Sequence, residues 1–228
     1  MSKQYYSRTA LSSALCWALA GLVTVPCVAA PAAVVLDPTR GAETGAVYQS
    51  WLSPQQEGGE EAETPKMVPK QFRSTTPSVD RNQRKSAGHG VLRFSRDLSR
   101  AYVELQISGV DPKTINLFHI HCGKPGILGP IIVDFALKQD LHTAFPDGRF
   151  KAEIGNEDIV AVAGHMHDGM IAFGTAGCPI NKDGNPNERV KTVAGLAAIA
   201  REGELYFNLH TTGQTYFGEM RGQLEAAP

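Results

Sequence analysis

Little in this chain points to a charged partner. Its 22 Lys and Arg nearly balance its 23 Asp and Glu, which leaves a formal net charge of −1 over 228 residues. Nucleic acid and anionic membranes both favour a concentrated basic surface, so neither is an expected partner. No Gly-x-Ser-x-Gly run occurs, which removes the elbow of a nucleophilic hydrolase. The apolar run over 10–25 falls short of the ~20 residues that a bilayer-spanning helix needs, so no span is expected in the mature chain. Cysteine is sparse, with four in all. What remains is ordinary globular material, 42% hydrophobic and 20% charged, enough for one domain with extensions.

Residues 1–30 read as a signal peptide. Lys3 and Arg8 precede the apolar run, and Val28-Ala29-Ala30 is a small-residue cleavage site. The chain is therefore expected to be exported, to a periplasm or to the exterior. Cys16 and Cys27 fall in that signal, and Thr24-Val25-Pro26 before Cys27 is a poor lipidation site. Cys122 and Cys178 are left as an even pair in an oxidising compartment, which predicts one disulfide.

Over 31–85 the composition shifts to Pro, Gly, Gln, Ser and Thr. An acidic patch (Glu57, Glu60, Glu61, Glu63) precedes a basic one (Lys66, Lys70, Arg73, Arg81, Arg84, Lys85), and apolar periodicity is absent. Such a segment reads as a flexible leader. The sharper alternative has it dock on its own domain or another chain through Trp51, Phe72 and opposite charges.

The folded domain is placed at 86–228. Residues 100–108 alternate apolar and polar side chains, and 91–95, 131–137, 149–154 and 205–210 read similarly, with Pro146-Asp147-Gly148 as a turn. Short strands with regular turns predict an all-β sandwich or barrel. One helix interrupts them, carried by Val190, Val193, Ala194, Ala197 and Ala200, with Gly203 as its cap.

Chemistry concentrates in Ile115-Asn116-Leu117-Phe118-His119-Ile120-His121-Cys122-Gly123. On a strand, His119 and His121 point the same way, with Ile115 and Leu117, and Phe118 and Ile120 point the other. Two imidazoles on one face can share a metal ion. Cys122, their strand neighbour, points away and is disfavoured as a thiolate ligand. Near the C-terminus Leu205, Phe207 and Leu209 make a core face, which puts Tyr206, Asn208 and His210 opposite. Phe217, Glu219, Arg221 and Gln223 form a returning row from which Glu219 and Arg221 could orient His210.

The run His119-Ile120-His121-Cys122-Gly123 with Gly126 and Gly129-Pro130-Ile131, followed by Leu205-Tyr206-Phe207-Asn208-Leu209-His210-Thr211 and Gly218-Glu219-Met220-Arg221-Gly222-Gln223-Leu224, resembles the CHRD domain, named for repeats in chordin and found in many exported bacterial proteins. The resemblance covers 86–224. It implies an immunoglobulin-like or superoxide-dismutase-like Greek-key sandwich outside the cytoplasm, with recurring histidines at His119, His121 and His210. It implies no particular reaction.

Two departures stand out. The last hairpin lacks a Pro-x-Gly before Gly218, and 155–188 reads as an insertion carrying a second pair, His165 and His167, beside Met166, Asp168 and Met170. Imidazole suits copper and zinc, and nearby thioethers lean toward copper. Zinc would take three histidines with Asp168 or a water. His89 and His142 are spare, and the polar run 181–188 reads as a turn rather than a Ca²⁺ loop. The expected function is binding of copper or zinc through His119, His121, His210, His165 and His167, for handling or sensing and not for catalysis. The alternatives are an extracytoplasmic protein-interaction module with structural histidines and, more remotely, a dismutase-like redox enzyme.

Overall fold

The computed structural model describes residues 44–165 and 190–228. In chain order its elements are β1 (Thr44–Leu52), β2 (Ala87–Ser95), β3 (Ala101–Ser108), β4 (Ile115–Cys122), β5 (Ile131–Asp134), β6 (Arg149–Ile154), α1 (Asn156–His165), α2 (Val193–Arg201), β7 (Leu205–Thr211), β8 (Met220–Gln223) and β9 (Glu225–Ala226). Two antiparallel sheets result, in the orders β6-β3-β2-β1-β9 and β5-β4-β7-β8, and they form an all-β sandwich.

The pleat decides what the sandwich buries. On β3, Ala101, Val103, Leu105 and Ile107 enter the core, as their period of two requires. Facing them, β4 supplies Phe118 and Ile120 and β7 supplies Leu205, Phe207 and Leu209. The Phe118 ring joins the sheets, stacking on Phe135 at 4.8 Å and meeting Phe150 of β6 edge-on at 5.0 Å. Ile115 departs from the expected pattern. A bulge between Ile115 and Leu117 resets the alternation, so Ile115 is fully buried in the core and does not share the histidine face.

The expected helix is α2, which buries Val193, Leu196, Ala197, Ile199 and Ala200 and is capped by the Thr192 side chain. Gly203 follows it in the left-handed conformation, φ 70°. Ala194 faces outward, and Val190 precedes the helix. A second helix, α1, occupies the start of the segment read as an insertion. Asp158 in its first turn accepts the Gly155 N–H at 2.7 Å, where a carboxylate suits the positive end of the helix.

The largest correction concerns the leader. From Thr44 onward it belongs to the fold: β1 pairs along its length with β2, and 53–84 lies along β8 and the 211–219 connection. β1 contributes Tyr48 and Leu52 to the core, whereas 53–84 is anchored largely by hydrogen bonds. Arg84 donates to the carbonyls of Gly218 and Glu219 at 2.9 and 2.8 Å, and the Thr75 and Thr76 amides donate to the Thr212 carbonyl at 2.9 and 3.1 Å. Trp51, half exposed, instead lies against His89, its partner on the neighbouring strand β2 of the same sheet.

Candidate metal centre

With Phe118, Ile120 and Cys122 turned into the core, His119 and His121 lie on the opposite face of the second sheet, beside Tyr206, Asn208 and His210 of β7. Segment 53–84 reaches this face: Glu57 abuts Gly218 and is itself buried. The three imidazoles are 2%, 8% and 4% exposed. A ring nitrogen from each lies within 4.8 Å of the others.

Their hydrogen bonds fix the direction of two lone pairs. His121 Nδ1 is 2.9 Å from the Gly129 carbonyl, and His210 Nδ1 is 2.9 Å from the Thr215 carbonyl. A carbonyl only accepts, so both Nδ1 atoms carry protons and both Nε2 atoms carry lone pairs. His210 Nε2 has no hydrogen-bond partner, whereas His121 Nε2 faces His119 Nδ1 at 3.3 Å. On its other side, His119 Nε2 faces Asp134 Oδ1 at 3.5 Å.

A neutral His119 cannot satisfy both neighbours. With its proton on Nδ1, a lone pair faces the Asp134 carboxylate. With its proton on Nε2, two lone pairs oppose each other at 3.3 Å. One further positive charge resolves the conflict, either a proton or a metal ion. The His119–His121 separation fits an ion, since nitrogens at the bond length of zinc lie about 3.3 Å apart along a tetrahedral edge, and the set with His210 spans up to 4.8 Å. Asp134 on the far nitrogen is the carboxylate partner that metal-bound imidazoles commonly have.

The surrounding shell is rigid. The His121 ring stacks on Tyr206 at 4.9 Å and 10°, and the Arg221 guanidinium lies over the other ring 3.4 Å from the Tyr206 centroid. The Tyr206 hydroxyl accepts the Gly129 N–H at 3.1 Å, so Tyr206 holds both the face of His121 and the turn that orients it. Only glycine fits at 129, since a Cβ there would stand 1.5 Å from the Cys122 carbonyl oxygen.

Burial lowers the pKa of His121 well below its usual value, helped by His119 and opposed by the Gly129 bond. Burial likewise brings His210 down to about 3. Asp134 is also lowered: burial, the largest single influence, works against this, and His119, the Ala136 N–H and His210 together outweigh it. These shifts carry a sign. Below pH 6.5 and down to about 3, the unfolded chain binds protons that folded His210 refuses, so stability is complete above 6.5 and falls with acidification. Each such ring contributes about 1.4 kcal/mol per pH unit. In metal-free protein the urea midpoint should therefore drop between pH 7 and 5, and less so in His210→Gln. An unchanged midpoint would contradict the burial of neutral imidazoles.

The structure thus brings together three of the five expected ligands. His165 closes α1 at the limit of the described residues, and His167, Met166, Asp168, Met170 and Cys178 lie outside them, as does 181–188. Cys122 lies in the core, away from the ligands. His142 is exposed and bonded to the Lys113 carbonyl, and His89 sits in β2 of the other sheet; neither joins the cluster. Glu219 and Arg221 do not hold His210, whose Nδ1 goes to Thr215. Glu219 accepts the Thr211 hydroxyl at 3.3 Å, and Arg221 acts on His121 through Tyr206. Asp134 and Thr215 are not singled out by sequence, and Gly129 enters there only as part of the motif after the His-x-His run. Asp134 had one signal, a lone carboxylate ending the strand after the Gly-Pro turn.

Residues 70–224, more than half of the chain, match the family model described as CHRD domain. No curated protein matches the chain, and no solved structure does.

Proposed function

The chain belongs to the CHRD domain family, and on that premise we propose that it binds one transition-metal ion, copper or zinc, through His119, His121 and His210 for metal handling or sensing. The observation that carries this reading is His119, whose two ring nitrogens face groups that no neutral tautomer satisfies together. Three imidazole nitrogens suit both metals. The preference for copper rested on Met166 and Met170, and the three-imidazole set by itself does not discriminate. Burial of all three rings favours holding an ion over turning over a substrate, since a catalytic metal keeps an open position. Export, to a periplasm or to the exterior, belongs to the same proposal and rests on residues 1–30. A Cys122–Cys178 disulfide does too, supported by Cys122 being a disulfide half-cystine rather than a thiol.

A second reading has its own support. The charge that His119 needs can be a proton, held by Asp134, and the histidines would then tie β4, β5 and β7 together in a protein-interaction module.

Elemental analysis of protein exported to an oxidising compartment separates the two. Near-stoichiometric copper or zinc is expected in the wild type and none in His119→Ala/His121→Ala with its fold intact. His165→Ala/His167→Ala reports whether the second pair shares that ion. A wild type that is metal-free and takes up neither added metal would sink the first reading and leave the second.

A further inference from the structure

The connection over 211–219 carries the carbonyl that orients His210, and it is held in part from outside the matched domain. Glu61 lies upstream of residue 70, where the family match begins. Its carboxylate accepts the Tyr216 N–H at 3.0 and 3.2 Å, the Phe217 N–H at 3.2 Å and the Ser74 hydroxyl at 2.6 Å. The Ser74 oxygen in turn accepts the Thr215 N–H at 3.2 Å. Three consecutive amides, 215 to 217, are thereby satisfied by two side chains of the 53–84 segment. On either side, Gln214 donates to the Val79 carbonyl at 2.7 Å and Arg84 to Gly218 and Glu219.

The carbonyl of Thr215 takes the Nδ1 proton of His210, which leaves His210 Nε2 buried and aimed without a partner into the cluster. The chain of contacts therefore runs Glu61, Ser74, Thr215, His210. Every group facing the Glu61 oxygens is a donor. That environment demands a side chain that only accepts, which an ionised carboxylate supplies and an amide does not. Glutamine at this position keeps the size and its oxygen can still accept the 216 and 217 amides, but its NH₂ then faces Ser74, whose hydroxyl proton loses its acceptor and with it the orientation that receives the Thr215 N–H.

We infer that Glu61 is a positioning residue for the histidine site, and that the 53–84 segment is a strap whose release sets the rate at which a bound metal ion leaves. This rests on the metal reading above. On this inference the ion leaves as His210 turns aside, a movement that the pinned Thr215 carbonyl opposes.

The test compares wild type, Glu61→Gln and Glu225→Gln, an exposed change on β9, each loaded with copper or zinc and challenged with excess chelator. Release from Glu61→Gln should be about tenfold faster, in line with the effect of removing an outer partner of a ligand, and release from Glu225→Gln unchanged. Hydrogen exchange in metal-free protein supplies a readout independent of metal. In Glu61→Gln the 215–217 amides and the His210 Nδ1–H should all exchange faster. Wild-type release from Glu61→Gln, or faster amides with an unaltered His210 ring, would reduce Glu61 to a loop anchor and overturn the inference. If the wild type takes up no metal, the metal reading fails, and the His210 ring exchange alone decides the positioning role. Should Glu61→Gln not fold, Ser74→Ala removes one link of the chain and is read in the same way.

Discussion

Replacing Arg221 with methionine is expected to destabilise the fold by about 3–5 kcal/mol, because it strands buried acceptors and removes a packed layer at once. Arg221 is 1% exposed and, among the described residues, has no carboxylate in hydrogen-bond contact. Its guanidinium donates to the carbonyls of Ile127 at 2.8 Å and Lys124 at 2.7 Å, closing the Gly/Pro turn against β8, and its remaining face covers Tyr206. Glu57 is close enough to be felt by it, yet burial raises the Glu57 carboxyl well above its usual pKa despite Arg221, Arg84 and Arg81 nearby. Burial therefore works against Glu57 as a counter-ion, and no Arg221 hydrogen bond goes to it. The charge is spread over backbone dipoles and an aromatic face, a use to which a planar guanidinium is suited. Lysine at 221 keeps the charge but loses the fork, so it should recover only part of the loss. Urea unfolding of the three proteins measures this. A methionine variant within 1 kcal/mol of wild type would show that water reaches those carbonyls.

The same residue shows how far the sequence could be read. Alternation alone put Arg221 on the row facing Tyr206, Asn208 and His210, and it put His119 beside His121, because the pleat leaves no freedom once one face is apolar. The Asn208 to Arg221 register agrees with that row. What alternation could not supply was the partner across a turn. Asp134 meets His119 only through a register set after the 123–130 turn, with an irregularity beside His121, and Thr215 meets His210 only because 211–219 folds back on β7. Bulges defeat the reading for the same reason, as Ile115 shows. The strap was illegible in a different way. A segment anchored by carboxylates and guanidiniums on another segment's backbone has no apolar period, and its composition is that of a disordered leader. Glu61 and Arg84 are surface-type residues by sequence, and only the donors of 215–217 and the carbonyls of 218 and 219 reveal what they bind.

Asp134 offers the sharpest separation between a metal ion and a proton as the charge that His119 holds. If the ion is real, Asp134 accepts the Nε2 proton, fixes the Nδ1 lone pair toward His121 and raises its basicity. Asp134→Asn should then weaken metal binding by about 10–100-fold, the usual cost of losing such a partner, while leaving the three imidazoles in place. An asparagine oxygen can still accept that proton, so Asp134→Leu should lose more than Asp134→Asn. If the charge is a proton, the consequences invert. The imidazolium loses its counter-ion in either variant, and stability falls without any change in metal content. Competition titration with a chromophoric chelator measures the first outcome and ring nitrogen chemical shifts the second. Equal metal affinity across wild type and both variants would show that Asp134 plays no part in orienting His119. An affinity that falls in the order aspartate, asparagine, leucine, with the metal-free folds equally stable, would place the ion on the Nδ1 side of His119, between it and His121.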